Sequence, residues 1–393
     1  MDCRVKLIAF DIETTVRNQP KFSQFVLADG FPANPYHMDN KLVLGAFMNS
    51  ITAEYEEWDE WPEDRFPVEA MIAGHNLAFD LTYAIRDNGI KYIKDIKIWD
   101  TQLAEYMLAG QQVKMISLDK LAQRYGIPGK SDKVKEWWEA GYDTTDIPHD
   151  ILSEYLKQDV DITGRIALLQ IEKAKQLGMY QLILDRNRSL IATTIMSFMG
   201  IWFDLEKLNT LISETEQKVD KLKGRLLFEM SSRFNPDGVV RFEPNLDSPK
   251  QVTAFLFGGE AGYYKTDAPI INEETGEPVR YKTGARKGQV KTKKVQVPVV
   301  VENPLVPEWQ GEKNSNDDTL AALAGKHELI DVLREYRHVN KELTMYKSYL
   351  EHALNVQSEF GVIHPRFNHT ITATGRLSSS NPNVQNISNK EVD

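Results

Sequence analysis

Phe10-Asp11-Ile12-Glu13-Thr14 closes a short apolar run, Lys6 to Phe10, with two carboxylates at positions i and i+2. Side chains alternate between the two faces of a β-strand, so a strand ending here sends Asp11 and Glu13 out on the same side. One divalent cation could bridge them. Taken alone, an Asp-x-Glu pair is usually no more than a polar strand terminus, and its meaning depends on what the rest of the chain brings to it.

Two further segments do bring something. In Gly74-His75-Asn76-Leu77-Ala78-Phe79-Asp80, Asn76 and Asp80 are four apart and are expected on one helical face. Asn76 is then the natural N-cap, and Asp80 lies in the first turn, where the helix dipole favours a carboxylate. Tyr155-Leu156-Lys157-Gln158-Asp159 repeats the i, i+4 spacing within a longer helical pattern and aims a phenol and a carboxylate at one place. Four converging carboxylates cannot all ionise without strong repulsion unless cations compensate them. Asp11, Glu13, Asp80 and Asp159 therefore imply metal. Oxygen donors without clustered His or Cys point to two ions of Mg²⁺ or Mn²⁺, spaced about 3.5 to 4 Å as in sites that cleave phosphodiesters.

At 393 residues, 41% of them apolar, the chain is long enough for two or three domains with cores of their own. It has no run of 18 apolar residues, which argues against a membrane span, and its N-terminus is unlike a secretory signal. The expected compartment is the cytoplasm. The single cysteine, Cys3, allows neither an internal disulfide nor a cysteine-based zinc site. The net charge of −10 runs against the basic signature of a nucleic-acid binder. It is unevenly spread, however: residues 1–180 carry −9 and residues 181–393 only −1. Between Arg280 and Lys294 stand seven basic residues, Lys291, Lys293 and Lys294 among them, and no acidic one. Phosphate contact is the favoured reading of that stretch.

Periodicity predicts strands at Val5–Phe10, Leu42–Met48 and Glu54–Trp58, forming a meander. Helices follow near 77–87, 101–108, 117–125 and 150–175. Strands first and helices after them suggest an α/β unit, a mixed sheet with helices packed on it. Beyond it the pattern predicts a connecting helix from Leu182 to about Gly200 and a long helix over 204–234. A partner helix is expected over 317–357, with an extended insertion between them that holds a β-ribbon at Lys291–Val301.

The three carboxylate segments resemble, in order, the motifs of the DEDD exonuclease superfamily, in the branch whose third motif is Tyr-x-x-x-Asp. That resemblance implies a ribonuclease-H-like fold for residues 1–180 and a 3′-to-5′ exonuclease acting on single-stranded DNA 3′ ends. Asp11 would bridge both ions, Glu13 and Asp159 would complete one site, Asp80 would hold the other through water, and Tyr155 would orient the attacking water. Thr14 and Asn76 match positions that contact the terminal nucleotide. His75 is not a ligand in that pattern.

Near the other end, Thr372-Ala373-Thr374-Gly375-Arg376-Leu377-Ser378-Ser379-Ser380-Asn381-Pro382-Asn383-Val384-Gln385-Asn386-Ile387 reads as a polar loop. Arg376, Asn383, Gln385 and Asn386 offer groups that suit DNA. The segment closely resembles the signature that opens the palm of family A (DNA polymerase I type) polymerases. Gly200-Ile201-Trp202-Phe203-Asp204, Asn245 to Gln251 and Leu333 to Arg337 resemble parts of the thumb of that family. The resemblance implies a connecting helix at 181–203, a mainly helical thumb at 204–358 with a phage-like insertion at about 262–307, and the start of a palm at 359–393. It makes primer-template DNA a partner and leaves the insertion as a possible processivity-factor site. It also implies the cytoplasm of an infected bacterium if the gene is phage-borne.

The Asp-Tyr-Ser and His-Asp-Glu motifs and the lysine-bearing helix of that family do not follow. Synthesis is accordingly expected only with a C-terminal polypeptide that supplies palm and fingers. The competing expectations are an idle DNA-gripping module of a split polymerase and a ribonuclease D-like RNA exonuclease.

Overall fold

A computed structural model describes residues 6–16, 33–37, 39–63, 66–67, 69–129, 133–355 and 361–387. Cys3, Val5 and the expected helix end at Gln357 lie outside the described residues. The chain forms two compact units, residues 1–205 together with 348–393, and residues 206–347.

The first unit is built on a five-stranded sheet. Its strands are β1 (Leu7–Thr14), β2 (Leu42–Asn49), β3 (Tyr55–Trp58), β4 (Met71–Gly74) and β5 (Lys97–Asp100), in the order β3-β2-β1-β4-β5. β1, β2 and β3 form the expected antiparallel meander, whereas β4 runs parallel to β1 and β5 parallel to β4. The last two strands were not anticipated. Each has four residues, and β4 is buried at every position, so neither shows the alternation that betrays a half-exposed strand.

Helices interleave with these strands instead of following them: α1 (Ala78–Asn88) joins β4 to β5, and α2 (Thr101–Leu108) leaves β5 directly. Then come α3 (Leu118–Arg124), α4 (Lys133–Glu139), α5 (His149–Gln176) and α6 (Tyr180–Met199). Ser117 caps α3, accepting from the Lys120 N–H. α4 carries too short an apolar pattern to have been expected. The core beneath the sheet packs Phe10, Phe66, Tyr83, Trp99 and Tyr106, all almost fully buried.

α5 crosses β1 and β2 closely because Gly164 faces them. A Cβ at that residue would sit 2.4 Å from the Ser50 hydroxyl and 3.4 Å from the Ala9 Cβ. The segment after residue 348 completes the same unit. β6 (Ile201–Trp202) pairs with β9 (Val362–Ile363), and β10 (Arg366–Asn368) pairs with β11 (Ser378–Ser380). The Tyr106 hydroxyl donates to the Thr372 carbonyl at 2.6 Å, and Arg186 donates to the Gly375 carbonyl.

The second unit contains most of α7 (Leu205–Phe234), then α8 (Pro249–Phe257) and a long antiparallel ribbon of β7 (Gly259–Pro269) and β8 (Thr292–Val301). The expected single helix over 317–357 is two helices, α9 (Asp317–Ala322) and α10 (Glu328–Asn355). The break falls at Gly325, whose φ of +74° belongs to the left-handed region. α7 and α10 do pair, through Lys218–Glu335 at 2.7 Å, Arg225–Glu328 at 2.7 Å and Lys347–Glu216 at 2.6 Å. Among the described residues no helix is long and apolar enough to cross a membrane.

Candidate active site

β1 presents Asp11 and Glu13 on one side, as its two-residue period requires. Asp159 arrives from the middle of α5, the helix that Gly164 lets down onto the sheet. The three carboxylates each offer an oxygen within 4.8 Å of the other two, with Glu13 and Asp159 buried. A three-carboxylate set without imidazole or thiolate is chemistry for a hard divalent cation such as Mg²⁺ or Mn²⁺, and these side chains fit it.

Asp80 sits in the first turn of α1, buried, with the Ile12 N–H of β1 directed at its carboxylate. Burial raises its pKa well above the ordinary carboxylate value, and the neighbouring Asp11 and Asp100 charges raise it further. Asp80 thus stands at the side of Asp11. Tyr155, one turn before Asp159, is held well above the usual phenol pKa by burial first, then by Asp159, Glu13 and Asp11. Its ring meets Trp138 edge-on, with centroids 6.1 Å apart.

Asn76 is not the N-cap expected of it. Its φ is +62°, α1 begins at Ala78, and the cap position, Leu77, makes no side-chain cap bond. The stabilising group comes from elsewhere. Asp100, at the end of β5, accepts from the Leu77 N–H at 2.7 Å and from the Leu103 N–H at 2.8 Å, so one carboxylate steadies the starts of both α1 and α2. Burial nevertheless raises its pKa to about 6. The sequence reading passed over Asp100, although Asp-Thr ahead of an apolar helix is an N-cap signal. The Asn76 side chain is exposed and borders a cavity of about 270 Å³ in the first unit. His75 is held between Thr101 Oγ1 and the Ile116 carbonyl, both at 2.9 Å, which is a structural role. Thr14 is buried at the end of β1 and donates to the Thr15 carbonyl at 3.4 Å.

The family model for DNA polymerase family A matches residues 289–393. Over that stretch the chain is similar to the family A DNA polymerases. It is 24% identical over 394 residues to the DNA polymerase of Bacillus phage SP01, covering 95% of this chain and 40% of that one. It is also 24% identical to the DNA polymerase I of Borreliella burgdorferi, covering 83% of this chain and 29% of that one. A shorter match, 34% identical over 118 residues, joins 30% of the chain to 12% of the Bacillus subtilis DNA polymerase I. The chain thus spans well under half the length of these relatives. Among solved structures, the POL domain of Pol1 from M. smegmatis, in complex with DNA primer-template and dNTP, aligns with 99% of this chain and 54% of its own. The TM-score is 0.60 at 19% identity, a likeness of fold.

Within the matched region, Arg376, Asn383, Gln385 and Asn386 are all exposed. The Asn383 carbonyl takes the Tyr349 hydroxyl at 2.9 Å, which ties the segment to the end of α10. On the ribbon, Lys293 is exposed, Lys291 lies 5.3 Å from the Tyr281 ring centre, and Lys294 pairs with Asp267 at 3.1 Å.

Proposed function

We propose that the chain is a metal-dependent 3′-to-5′ DNA exonuclease that trims primer ends, joined to the thumb and the opening of the palm of a family A DNA polymerase. One observation carries this reading: Asp11, Glu13 and Asp159, from a strand and a distant helix, converge to within 4.8 Å with Asp80 beside Asp11. In this proposal residues 1–180 are a ribonuclease-H-like exonuclease, a reading supported by the sheet order β3-β2-β1-β4-β5 with its last two strands parallel to β1.

Asp11, Glu13 and Asp159 would hold one Mg²⁺ or Mn²⁺, and Asp11 with Asp80 a second. When bound, such ions activate water and stabilise the departing 3′-oxygen. Tyr155 stays a neutral phenol and positions the attacking water through a hydrogen bond, while Asn76 and Thr14 set the terminal nucleotide. Arg376, Asn383, Gln385 and Asn386 contact primer-template DNA, and the ribbon lysines contact phosphate. Palm and fingers are the working partner for synthesis, and the ribbon is the place for a processivity factor.

The purified protein, given 5′-labelled single-stranded DNA and Mg²⁺, should release mononucleotides from the 3′ end, with Asp11→Ala slower by about a thousandfold. If the folded wild-type protein digests no DNA in either Mg²⁺ or Mn²⁺, the proposal fails.

A further inference from the structure

The parallel strands β4 and β5 end with Gly74 opposite Asp100, and at that level the chain leaves each strand for a helix, α1 after β4 and α2 after β5. A helix start leaves backbone N–H groups that no earlier turn can satisfy. Here one carboxylate meets both sets. Asp100 Oδ1 accepts from the Leu103 N–H of α2 and Oδ2 from the Leu77 N–H ahead of α1, and the Asn76 and Gln102 N–H groups are directed at the same side chain. An ionised carboxylate has about four lone-pair sites, enough for all of them.

Asp100 is itself held from α6. Asn187 Oδ1 accepts the Asp100 N–H at 2.8 Å, and Asn187 Nδ2 donates to the Ile183 carbonyl at 2.9 Å. Both residues are buried, so water does not compete for these bonds.

What this corner carries is one half of the proposed metal site. α1 brings Asp80 beside Asp11, and the turn ahead of it brings Asn76, whose φ of +62° is kept only where the surroundings fix it. The other carboxylates stand elsewhere, Asp11 and Glu13 on β1 and Asp159 on α5.

We propose that, in the metal-dependent trimming reading on which this rests, Asp100 and Asn187 are positioning residues for the Asp80 ion alone. Neither is one of the proposed ligands. They fix the start of α1, and through it hold the Asp80 carboxylate where it and Asp11 can share a second cation. A displacement of about 1 Å is enough to weaken such a site. Asp100→Asn keeps the size of the side chain and loses one acceptor. Whichever way the amide turns, its NH₂ group faces the Leu77 or the Leu103 N–H, donor against donor. Asn187→Leu leaves the Asp100 N–H without its acceptor.

The test counts ions without turnover. Mn²⁺ is titrated into the full chain at pH 7.5 and followed by electron paramagnetic resonance, with deoxythymidine monophosphate, the product of trimming, filling the terminal-nucleotide position. Circular dichroism reports folding. The wild type should bind two ions. In Asp100→Asn the weaker ion should bind about tenfold less tightly with the tighter one unchanged, and Asn187→Leu should shift it in the same direction. Gln170→Leu is the comparison: it removes buried bonds to Trp99 and to the Thr101 carbonyl at the same corner without touching α1, and should leave both ions at wild-type affinity.

One folded variant of the first two is sufficient, and loss of the fold in both would make their role structural and overturn the inference. So would wild-type affinity in the folded variants, equal weakening of both ions, or the same shift in Gln170→Leu. A wild type that binds fewer than two Mn²⁺ removes the second site and the inference with it. One that binds none also overturns the trimming reading.

Discussion

Tyr155 shows what a single side chain contributes here. A phenol among three carboxylates stays protonated far beyond neutral pH, so it can donate a hydrogen bond but cannot serve as a base at pH 8. Tyr155→Phe is expected to lower kcat about 10- to 100-fold, the worth of one hydrogen bond to a charged partner, with KM for DNA nearly unchanged. An equal loss in KM would assign Tyr155 to strand binding.

Asp100 makes a different prediction. Its pKa is raised on folding, from 3.8 to about 6. Its protonated form therefore favours the folded state, and that contribution is full below pH 4 and lost as pH rises through 6. Denaturant titrations should find the metal-free wild type losing about 2 kcal/mol more than Asp100→Asn between pH 4 and pH 6. Parallel pH profiles would show that Asp100 does not titrate there. At this scale the sequence was readable where chemistry repeats with a fixed period, as in Asp11 and Glu13. It was opaque at Asn76, because a left-handed backbone turn is set by the strand and helix on either side of it.

Among the elements, the contact between α5 and the sheet decides whether Asp159 reaches β1. Gly164 sets their separation, and any side chain there meets Ser50 and Ala9. Gly164→Val should force the helix outward, destabilise the protein by about 1 to 3 kcal/mol and reduce exonuclease activity more than the stability loss explains. Unchanged activity at a temperature where the variant is fully folded would mean that Asp159 does not depend on this packing.

The long amphipathic helices and the meander were legible because their apolar periods run over many residues. β4 and β5 were not, since four-residue strands carry almost no period. The break between α9 and α10 was hidden because apolar spacing continues across it, while the left-handed Gly325 interrupts the backbone.

For the molecule as a whole, charge separates two expectations. Mg²⁺ or Mn²⁺ should raise the melting temperature of the wild type, by binding only the assembled carboxylates, and should do so far less in Asp11→Ala. A similar rise in both would place the ions elsewhere. Ca²⁺, which takes looser oxygen shells, should stabilise the protein without supporting cleavage.

On the ribbon, replacing Lys291, Lys293 and Lys294 together with Ala should flatten the salt dependence of DNA binding. The expected change is about two units of log–log slope and not three, because Lys294 is already engaged by Asp267. An unchanged slope would leave the stretch a solvated hairpin. The chain's net charge of −10 concealed this local balance, since charge adds up over the sequence whereas phosphate responds only to what lies near it.

The first unit is also fastened by chain that arrives late. Tyr106 and the Thr372 carbonyl it holds are 266 residues apart, and Arg186 precedes its Gly375 partner by 189. A ribosome adding roughly 5 to 20 residues per second delivers the second member of the longer pair some 13 to 50 seconds after the first. During that interval α2 and α6 wait for the chain that Tyr106 and Arg186 will hold while residues 206–347 are being made, so the first unit closes only after the second has been synthesised.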